Sequence, residues 1–166
     1  MATNTATTVP VLRFDGPDDT PPRLAVVVSR FNEPVTGGLR RGTLEWLAEH
    51  GIPVRDDDVL DAPGAYELPL LAQALAKTGR YEGVICLGCV IKGDTAHFEF
   101  ISLGATVGLM QAMLSTEVPV SFGVLTTYSD EQARLRSAAD PHNKGREAAA
   151  ACVEALALLR RIRAPA

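Results

Sequence analysis

The strongest structural signal in the chain lies at residues 83–91, GVICLGCVI, with KGDTAH at 92–97 and FEFISLGATVGLMQAMLS at 98–115 following it. The first segment is a continuous apolar run, which is typical of a strand buried on both faces of a parallel sheet. The last segment carries Ile101, Ala105, Leu109 and Met113 on one stripe at helical spacing, and it predicts a long helix. A buried strand that leads through a short polar loop into a helix is the repeating unit of α/β proteins.

The same alternation of strand and helix extends in both directions along the chain. Apolar runs predict further strands at 24–28, 54–60 and 118–125. Helical spacing predicts further helices at 36–50, 69–77 and 144–163. Four strands alternating with four helices indicate an α/β fold, a three-layer α/β/α sandwich with a four-stranded parallel sheet of flavodoxin-like type. Ligands of such sheets bind beyond the carboxyl ends of the strands, so the loops at 29–35, 61–68, 91–98 and 126–143 are the candidate site.

The amino-terminal segment differs from the rest of the chain. Residues 1–22 lack apolar periodicity and contain many Thr and Pro residues, so they are predicted to form a tail and a linker. Residues 9–14, VPVLRF, have strand-like composition, but Pro10 confines such a strand to a sheet edge or to pairing with another chain. Residues 23–163 are expected to form a single domain, because a chain of this size buries about 69% of its unfolded surface.

Composition and charge exclude several classes of protein. Hydrophobic residues make up 46% and charged residues 22% of the chain, as in ordinary globular proteins. The net charge of -4 argues against a dedicated nucleic-acid-binding protein, which would carry excess Lys and Arg. No uninterrupted apolar run of about 18 residues and no signal peptide is recognisable. We therefore expect a cytoplasmic protein without nucleic-acid or membrane partners.

The three cysteines do not predict a metal or redox site. Cys86 and Cys89 match C-x-x-C, but residues three apart in a strand point to opposite faces. Neither a second C-x-x-C nor a pair of histidines follows to complete a zinc site. We expect no metal, and we expect Cys86, Cys89 and Cys152 to be free thiols in a reducing compartment.

The loop at 92–97 is the most informative part of the candidate site. It leads into a helix, whose free N–H groups attract anions, and Lys92, Gly93 and Thr95 beside them suit a phosphate group. A simple Asp or Thr helix cap is equally consistent with this segment, because no phosphate-loop pattern is present. His97 is a candidate for proton transfer, although a lone histidine is more often structural.

Two other loops contain residues suited to a flat heterocycle with a hydroxylated chain. Phe31 and Asn32 follow the first strand, where an aromatic ring can stack on a heterocycle instead of packing in the core. Glu67 precedes a helix, where its carboxylate can accept hydrogen bonds from hydroxyl groups or serve only the helix dipole.

Taken together, these loops resemble those of the lumazine synthase family. The similar segments occur in the family's order and cover residues 24–162: SRFN at 29–32, PGAYELP at 63–69, LGCVIKGDTAHF at 87–98, FGVLTT at 122–127, EQA at 131–133 and NKG at 143–145. Each segment is a weak signal alone, but the ordered set is specific.

The resemblance implies a transferase of riboflavin biosynthesis. The family condenses 5-amino-6-(D-ribitylamino)uracil with 3,4-dihydroxy-2-butanone 4-phosphate to 6,7-dimethyl-8-ribityllumazine, and releases phosphate and water. It implies no metal and no organic cofactor. The nucleophile is the 5-amino group of the substrate, so the protein has mainly to align two small molecules and to move protons.

The resemblance also implies roles for individual residues. His97 matches the proton-transferring histidine, the turn Gly93, Asp94 and Thr95 matches the phosphate site, and Arg136 matches the arginine that grips the phosphate. The residues that match the pyrimidine and ribityl site are Phe31, Asn32, Ala65, Tyr66, Glu67, Val90, Ile91, Lys92, Phe122 and Lys144. Within that set, Phe122 and Lys144 match residues on the side of a neighbouring subunit.

Oligomerisation follows from a site of this kind. The resemblance implies a homopentamer with intersubunit active sites, a decamer or 60-subunit shell as larger forms, a strand at 9–14 paired with a neighbour, and association with riboflavin synthase. The sequence departs from the family in three places. Lys92 stands where many members have Arg, Tyr66 replaces a common Phe, and SAADPH at 137–142 replaces the turn rich in Gly and Lys of shell-forming members.

Two other functions remain open at this point. A non-catalytic relative that binds flavin or lumazine would keep Phe31 but would not need His97, Arg136 and Thr95. A shell or scaffold protein would assemble in the same way as the enzyme, and a measurement of activity separates the two.

Overall fold

A computed structural model describes residues 20–164 of the chain. The predicted strand at 9–14 lies outside the described residues. The elements, in chain order, are β1 (Leu24–Ser29), α1 (Glu33–Glu49), β2 (Val59–Ala62), α2 (Leu68–Lys77), β3 (Gly83–Ile91), α3 (His97–Thr116), β4 (Val120–Thr127), α4 (Asp130–Ser137) and α5 (Lys144–Arg163).

The four strands of the described chain form one parallel sheet in the order β2-β1-β3-β4. One face packs on α1, α4 and α5 through residues such as Leu39, Ala133 and Val153. The other face packs on α2 and α3 through residues such as Leu68 and Leu109. The predicted α/β sandwich with a parallel sheet is confirmed, and its buried central strands account for the continuous apolar runs of the sequence.

The alternation of side chains along β3 separates the two cysteines of the C-x-x-C motif. Cys86 packs in the cluster of α2 and α3, whereas Cys89 packs in the cluster of α1 and α5. The prediction that they point to opposite faces is confirmed. Cys86, Cys89 and Cys152 are all free and buried.

The second strand was predicted at 54–60, and this boundary is wrong. Residues Asp56–Asp58 form a 3₁₀ turn, and β2 occupies Val59–Ala62. The cause is Asp58, whose buried carboxylate accepts hydrogen bonds from Arg23 at 2.8 Å and from Tyr81 at 2.9 Å. The turn ends at this buried residue, and pairing with β1 begins directly after it, at Val59.

The prediction of four helices is also wrong, because the described chain contains a fifth, α4, within the segment 126–143 that was expected to be a loop. Its apolar content is low, and Ala133 is its main core residue. The sequence does carry a start signal for it. Ser129 accepts a hydrogen bond from the Gln132 backbone N–H, and the Gln132 side chain accepts one from the Tyr128 N–H.

Helix α3 presents an unusual surface. Gly104 and Gly108 lie against Tyr66 and Pro69, where an added Cβ would come within 2.9 and 2.7 Å of their side chains, so the absence of a side chain at both positions allows close packing here. The stripe opposite the buried Ala105, Leu109 and Ala112 is apolar and exposed; it consists of Phe100, Leu103, Val107, Met110 and Leu114. Among residues 20–164, α3 is the helix long and apolar enough to cross a membrane, by length and composition only.

Candidate active site

A cavity of about 450 Å³ opens at the carboxyl ends of β1 and β3. We call it the strand-end cavity. Its lining combines apolar and aromatic side chains with a few polar groups, as small-molecule sites generally do. The lining residues are Phe31, Asn32, Gly64, Ala65, Tyr66, Glu67, Cys89, Val90, Ile91, His97 and Ile101.

The turn after β1 is shaped by Asn32. This residue has a left-handed backbone conformation with φ of 56°, which Asn tolerates better than most residues. Its side-chain Nδ2 donates a hydrogen bond to the Cys89 carbonyl at 2.9 Å and so ties the end of β1 to β3. The sharp turn leaves the preceding Phe31 ring 68% exposed at the cavity, available to stack on a ligand.

The loop after β2 brings a carboxylate to the Phe31 ring. Glu67 ends the 3₁₀ turn Ala65–Glu67 and leads into α2, which the buried Leu68 anchors. A Cβ added at Gly64 would lie 3.0 Å from Glu67 Oε2 and 3.4 Å from the Phe31 ring. The absence of a side chain at Gly64 therefore lets the carboxylate and the aromatic ring share one part of the cavity wall.

The loop after β3 ends at His97, the first residue of α3. Ala96 is the N-cap of the helix and has no side chain that could accept a hydrogen bond, and Thr95 Oγ1 accepts only a long one of 3.5 Å from the His97 N–H. The first turn of this 20-residue helix thus keeps donors and a partial positive charge for an anion. A Cβ at Gly93 would meet no atom within 4 Å, so a ligand can approach this backbone closely.

A second cavity of about 570 Å³ lies along the edge strand β4. We call it the edge-strand cavity, and its walls include Phe122, Arg136 and Lys144. Arg136 Nη1 donates to the Gln132 carbonyl at 3.0 Å, while Lys144 Nζ lies 2.6 Å from the Glu147 carboxylate.

The structure thus distributes the predicted site residues over three places. Eight of them line the strand-end cavity: Phe31, Asn32, Ala65, Tyr66, Glu67, Val90, Ile91 and His97. Three line the edge-strand cavity: Phe122, Arg136 and Lys144. Four lie exposed in the loop before α3 and line neither cavity: Lys92, Gly93, Asp94 and Thr95.

Sequence reasoning missed three residues that line the strand-end cavity, Gly64, Cys89 and Ile101. Ile101 lies one helical turn after His97, a spacing that predicts the same helix face. Gly64 belongs to the segment already singled out for Glu67. Cys89 offers its backbone carbonyl to Asn32, and nothing in its side-chain chemistry signals that contact.

Charge perturbation is modest around the two cavities. Burial, followed by the charge of Asp130, raises the pKa of Cys89 to about 11, so this thiol stays protonated near neutral pH. Glu99 accepts a hydrogen bond from Lys92, which lowers the pKa of Glu99 and raises the pKa of Lys92. Among residues 20–164, no three His, Cys, Asp or Glu side chains are grouped as metal ligands.

Comparison with known proteins identifies the chain's relatives. The family model described as 6,7-dimethyl-8-ribityllumazine synthase matches residues 21–160. The chain is 67% identical to 6,7-dimethyl-8-ribityllumazine synthase 1 of Caulobacter vibrioides over 146 residues, which are 88% of this chain and 95% of that protein. It is 48% identical to 6,7-dimethyl-8-ribityllumazine synthase of Salinibacter ruber over 137 residues, 82% of this chain and 88% of that protein.

A third relative, 6,7-dimethyl-8-ribityllumazine synthase of Nitratidesulfovibrio vulgaris, is 44% identical over 140 residues, 84% of this chain and 90% of that protein. All three alignments span most of both chains, and the fold has the parallel sheet that the alternation of strands and helices predicted. The family suggested by the loop motifs is confirmed. The chain belongs to the 6,7-dimethyl-8-ribityllumazine synthase family.

Proposed function

We propose that this protein condenses 5-amino-6-(D-ribitylamino)uracil with 3,4-dihydroxy-2-butanone 4-phosphate to give 6,7-dimethyl-8-ribityllumazine, phosphate and water, a step of riboflavin biosynthesis. The observation that carries the proposal is the strand-end cavity, which combines an exposed aromatic ring, a carboxylate and a histidine at the start of a helix. The family match supports the same reaction.

The strand-end cavity would hold the pyrimidine. Phe31 would stack on the ring, because it is exposed at the cavity and the hydrogen bond from Asn32 to the Cys89 carbonyl holds the turn that carries it. Backbone groups of Val90 and Ile91 would pair with the ring edge. Ala65, Tyr66 and Glu67 would hold the ribityl chain, whose hydroxyl groups suit a carboxylate acceptor.

The phosphate of the second substrate would lie at the start of α3. Gly93, Asp94 and Thr95 form the turn there, and the uncapped first turn of the helix favours an anion. Arg136, Phe122 and Lys144 would come from a neighbouring copy, because within one chain they line the edge-strand cavity. Arg136 makes no ion pair with a described residue, so its guanidinium is available for a bidentate contact.

His97 would move the protons of the condensation. The substrate's 5-amino group attacks the ketone carbon, and the resulting carbinolamine loses water to form an imine. A base then removes a proton so that phosphate can leave, and ring closure with loss of the second water completes the product. The His97 imidazole lies at the cavity and beside the phosphate turn, where it can take and return these protons.

A homo-oligomer, which we take to be a pentamer, would complete these sites. The exposed stripe Phe100, Leu103, Val107, Met110 and Leu114 on α3 repeats at a spacing suited to packing between helices. The segment 9–14 would pair with an edge of a neighbour's sheet, since β2 and β4 end the described sheet. Covering both surfaces with copies of the chain explains the apolar length of α3 without a membrane.

The test is an assay of the purified protein with both substrates, read as lumazine absorbance and fluorescence against a blank without protein. Formation well above the blank supports the proposal. A folded oligomer that binds riboflavin but forms no product would instead be a flavin-binding relative, and an inert oligomer would be a scaffold.

Light scattering of the protein as it leaves a size-exclusion column distinguishes a pentamer, a decamer and a shell. Co-elution with added riboflavin synthase on the same column tests the association with that enzyme. We expect the enzyme to act in the cytoplasm, where three free thiols stay reduced.

A further inference from the structure

The loop before α3 is held by one side-chain contact that the reaction does not explain. Lys92 follows the last residue of β3, and Glu99 lies in the first turn of α3. Lys92 Nζ donates a hydrogen bond to Glu99 Oε1 at 2.6 Å, across the turn that the proposed function gives to the phosphate. The pair therefore joins the two ends of residues 93–97.

The Lys92 ammonium is occupied on further sides by aromatic rings. It lies 5.7 Å from the centroid of the Phe98 ring and 5.9 Å from that of Tyr128, within the range of cation–π attraction. The two rings are themselves 6.0 Å apart. The Lys92 backbone N–H also donates to the Thr127 carbonyl at 2.9 Å. Both ends of this residue are thus fixed by groups of β4, α3 and the loop after β4.

The turn itself has few contacts of its own. A Cβ at Gly93 would meet nothing within 4 Å, and the hydrogen bond from the His97 N–H to Thr95 Oγ1 is long at 3.5 Å. The five residues 93–97 are all exposed. The geometry of the turn, and the position of His97 at its end, consequently depend on the contact across it.

We propose that Glu99 is a positioning residue, which holds Lys92 across the turn and thereby fixes the turn and His97 for the phosphate-bearing substrate. The resemblance implies that Lys92 binds substrate, whereas in the structure the Lys92 ammonium contacts Glu99, Phe98 and Tyr128. This inference rests on the proposed function, because it gives a purpose to the phosphate turn of that same site.

Removing the Glu99 charge distinguishes direct binding of the phosphate by Lys92 from positioning of the turn by Glu99, because the two roles change KM for the butanone phosphate in opposite directions. Glu99→Gln makes the surroundings of the phosphate more positive. If Lys92 binds the phosphate directly, the variant frees its ammonium and lowers KM for the butanone phosphate. If Glu99 positions the turn, KM for the butanone phosphate rises about two- to fivefold, the scale of an exposed ion pair, and KM for the ribitylaminouracil stays the same.

A second readout follows the turn without substrate. Amide hydrogen exchange of residues 93–97 in the full-length oligomer should be faster in Glu99→Gln than in the unaltered protein. The matched control is Glu82→Gln, which removes another exposed carboxylate, one that contacts Arg160 at 2.6 Å before the start of β3. This control should change neither KM nor exchange in the turn.

The exchanged pair Lys92→Glu/Glu99→Lys completes the experiment. It restores an ion pair across the turn with the charges reversed, so the exchange rates of residues 93–97 should fall back toward those of the unaltered protein, relative to Glu99→Lys alone. A lower KM for the butanone phosphate in Glu99→Gln, or unchanged exchange in that variant, overturns the inference. Failure of the unaltered protein to form product would reject the proposed function instead, and the exchange measurement would still decide whether Glu99 holds the turn.

Discussion

His97 and Arg136 lie in different cavities of the same chain. His97 lines the strand-end cavity at the start of α3, and Arg136 lines the edge-strand cavity beside β4. The resemblance of the loop motifs to the lumazine synthase family implies that both residues serve one reaction. Under the proposed function, a complete site would form where the edge-strand cavity of one copy meets the strand-end cavity of another, as in a closed ring of identical subunits.

Replacing Arg136 with Ala should remove most of the activity and leave the oligomer intact. The guanidinium is exposed and its one described hydrogen bond is to the Gln132 carbonyl, so its loss affects the ligand more than the fold. We expect kcat/KM for the butanone phosphate to fall about 10- to 100-fold, as for a lost charged hydrogen bond. The control is Arg134→Ala on the same helix, which removes a guanidinium paired with Asp130. Full activity of Arg136→Ala would reject the phosphate assignment.

Replacing His97 with Ala should lower turnover more than substrate affinity. The imidazole is the group assigned to proton transfer, whereas the alignment of the two substrates depends on other residues. We expect kcat to fall about 10- to 100-fold with KM nearly unchanged. The loss is limited because aligned substrates still condense slowly without a group that transfers protons. Steady-state kinetics with each substrate varied in turn measures both constants. An unchanged kcat would give His97 a purely structural role.

Stability should depend on pH through Asp58. Its contact with Arg23 and its hydrogen bond from Tyr81 hold the pKa of this buried carboxyl below its ordinary value of 3.8. A carboxyl whose pKa is lowered on folding stabilises the native state above its unfolded pKa, and this contribution is lost as the pH falls through the folded value.

Asp58→Asn should therefore lower the free energy of unfolding at pH 7, and the difference from the unaltered protein should shrink as the pH falls below about 4. Urea unfolding at a series of pH values measures it. The matched control is the exposed neighbour Asp57→Asn, which should have little effect. A difference that stays constant down to pH 2 would contradict the assigned cause.

The packing of α1 on α5 should depend on a glycine. A Cβ at Gly145 would lie 2.8 Å from the Leu39 carbonyl carbon and 2.9 Å from Thr43 Oγ1, so backbone would have to move. Gly145→Ala should cost about 3 kcal/mol of unfolding free energy. Gly37→Ala in α1 is the control, because its nearest neighbour is the flexible end of Glu33, and it should gain up to about 1 kcal/mol. Equal changes in the unfolding free energy of the two variants would show that the contact between α1 and α5 tolerates an added Cβ.

The parts of the fold that the sequence predicted correctly are those governed by local pattern. The apolar run of β3 and the periodicity of α3 and α5 depend on neighbouring residues, and their predicted positions agree with the structure. The boundary of β2 was missed because the contacts of Asp58 come from Arg23 and Tyr81, which are distant in sequence. Helix α4 was missed because little of it is buried.

The candidate site divides in the same way. The residues of the strand-end cavity follow strands whose carboxyl ends meet at one edge, so the topology predicts that they come together. The separate cavity of Phe122, Arg136 and Lys144 has no signal in the sequence of a single chain. In the proposed shared site, the contact between copies would be a property of the assembly, and the family motifs imply it only by resemblance.

The most direct test of a site shared between copies is activity of mixed oligomers. One chain carries Phe31→Ala and His97→Ala, which disable the strand-end cavity, and the other carries Arg136→Ala, which disables the edge-strand cavity. Each variant alone should be nearly inactive. Oligomers refolded from an equal mixture should regain activity, because about one quarter of the interfaces then join two unaltered cavities. Mixed oligomers that remain as inactive as the separate variants would contradict the shared site.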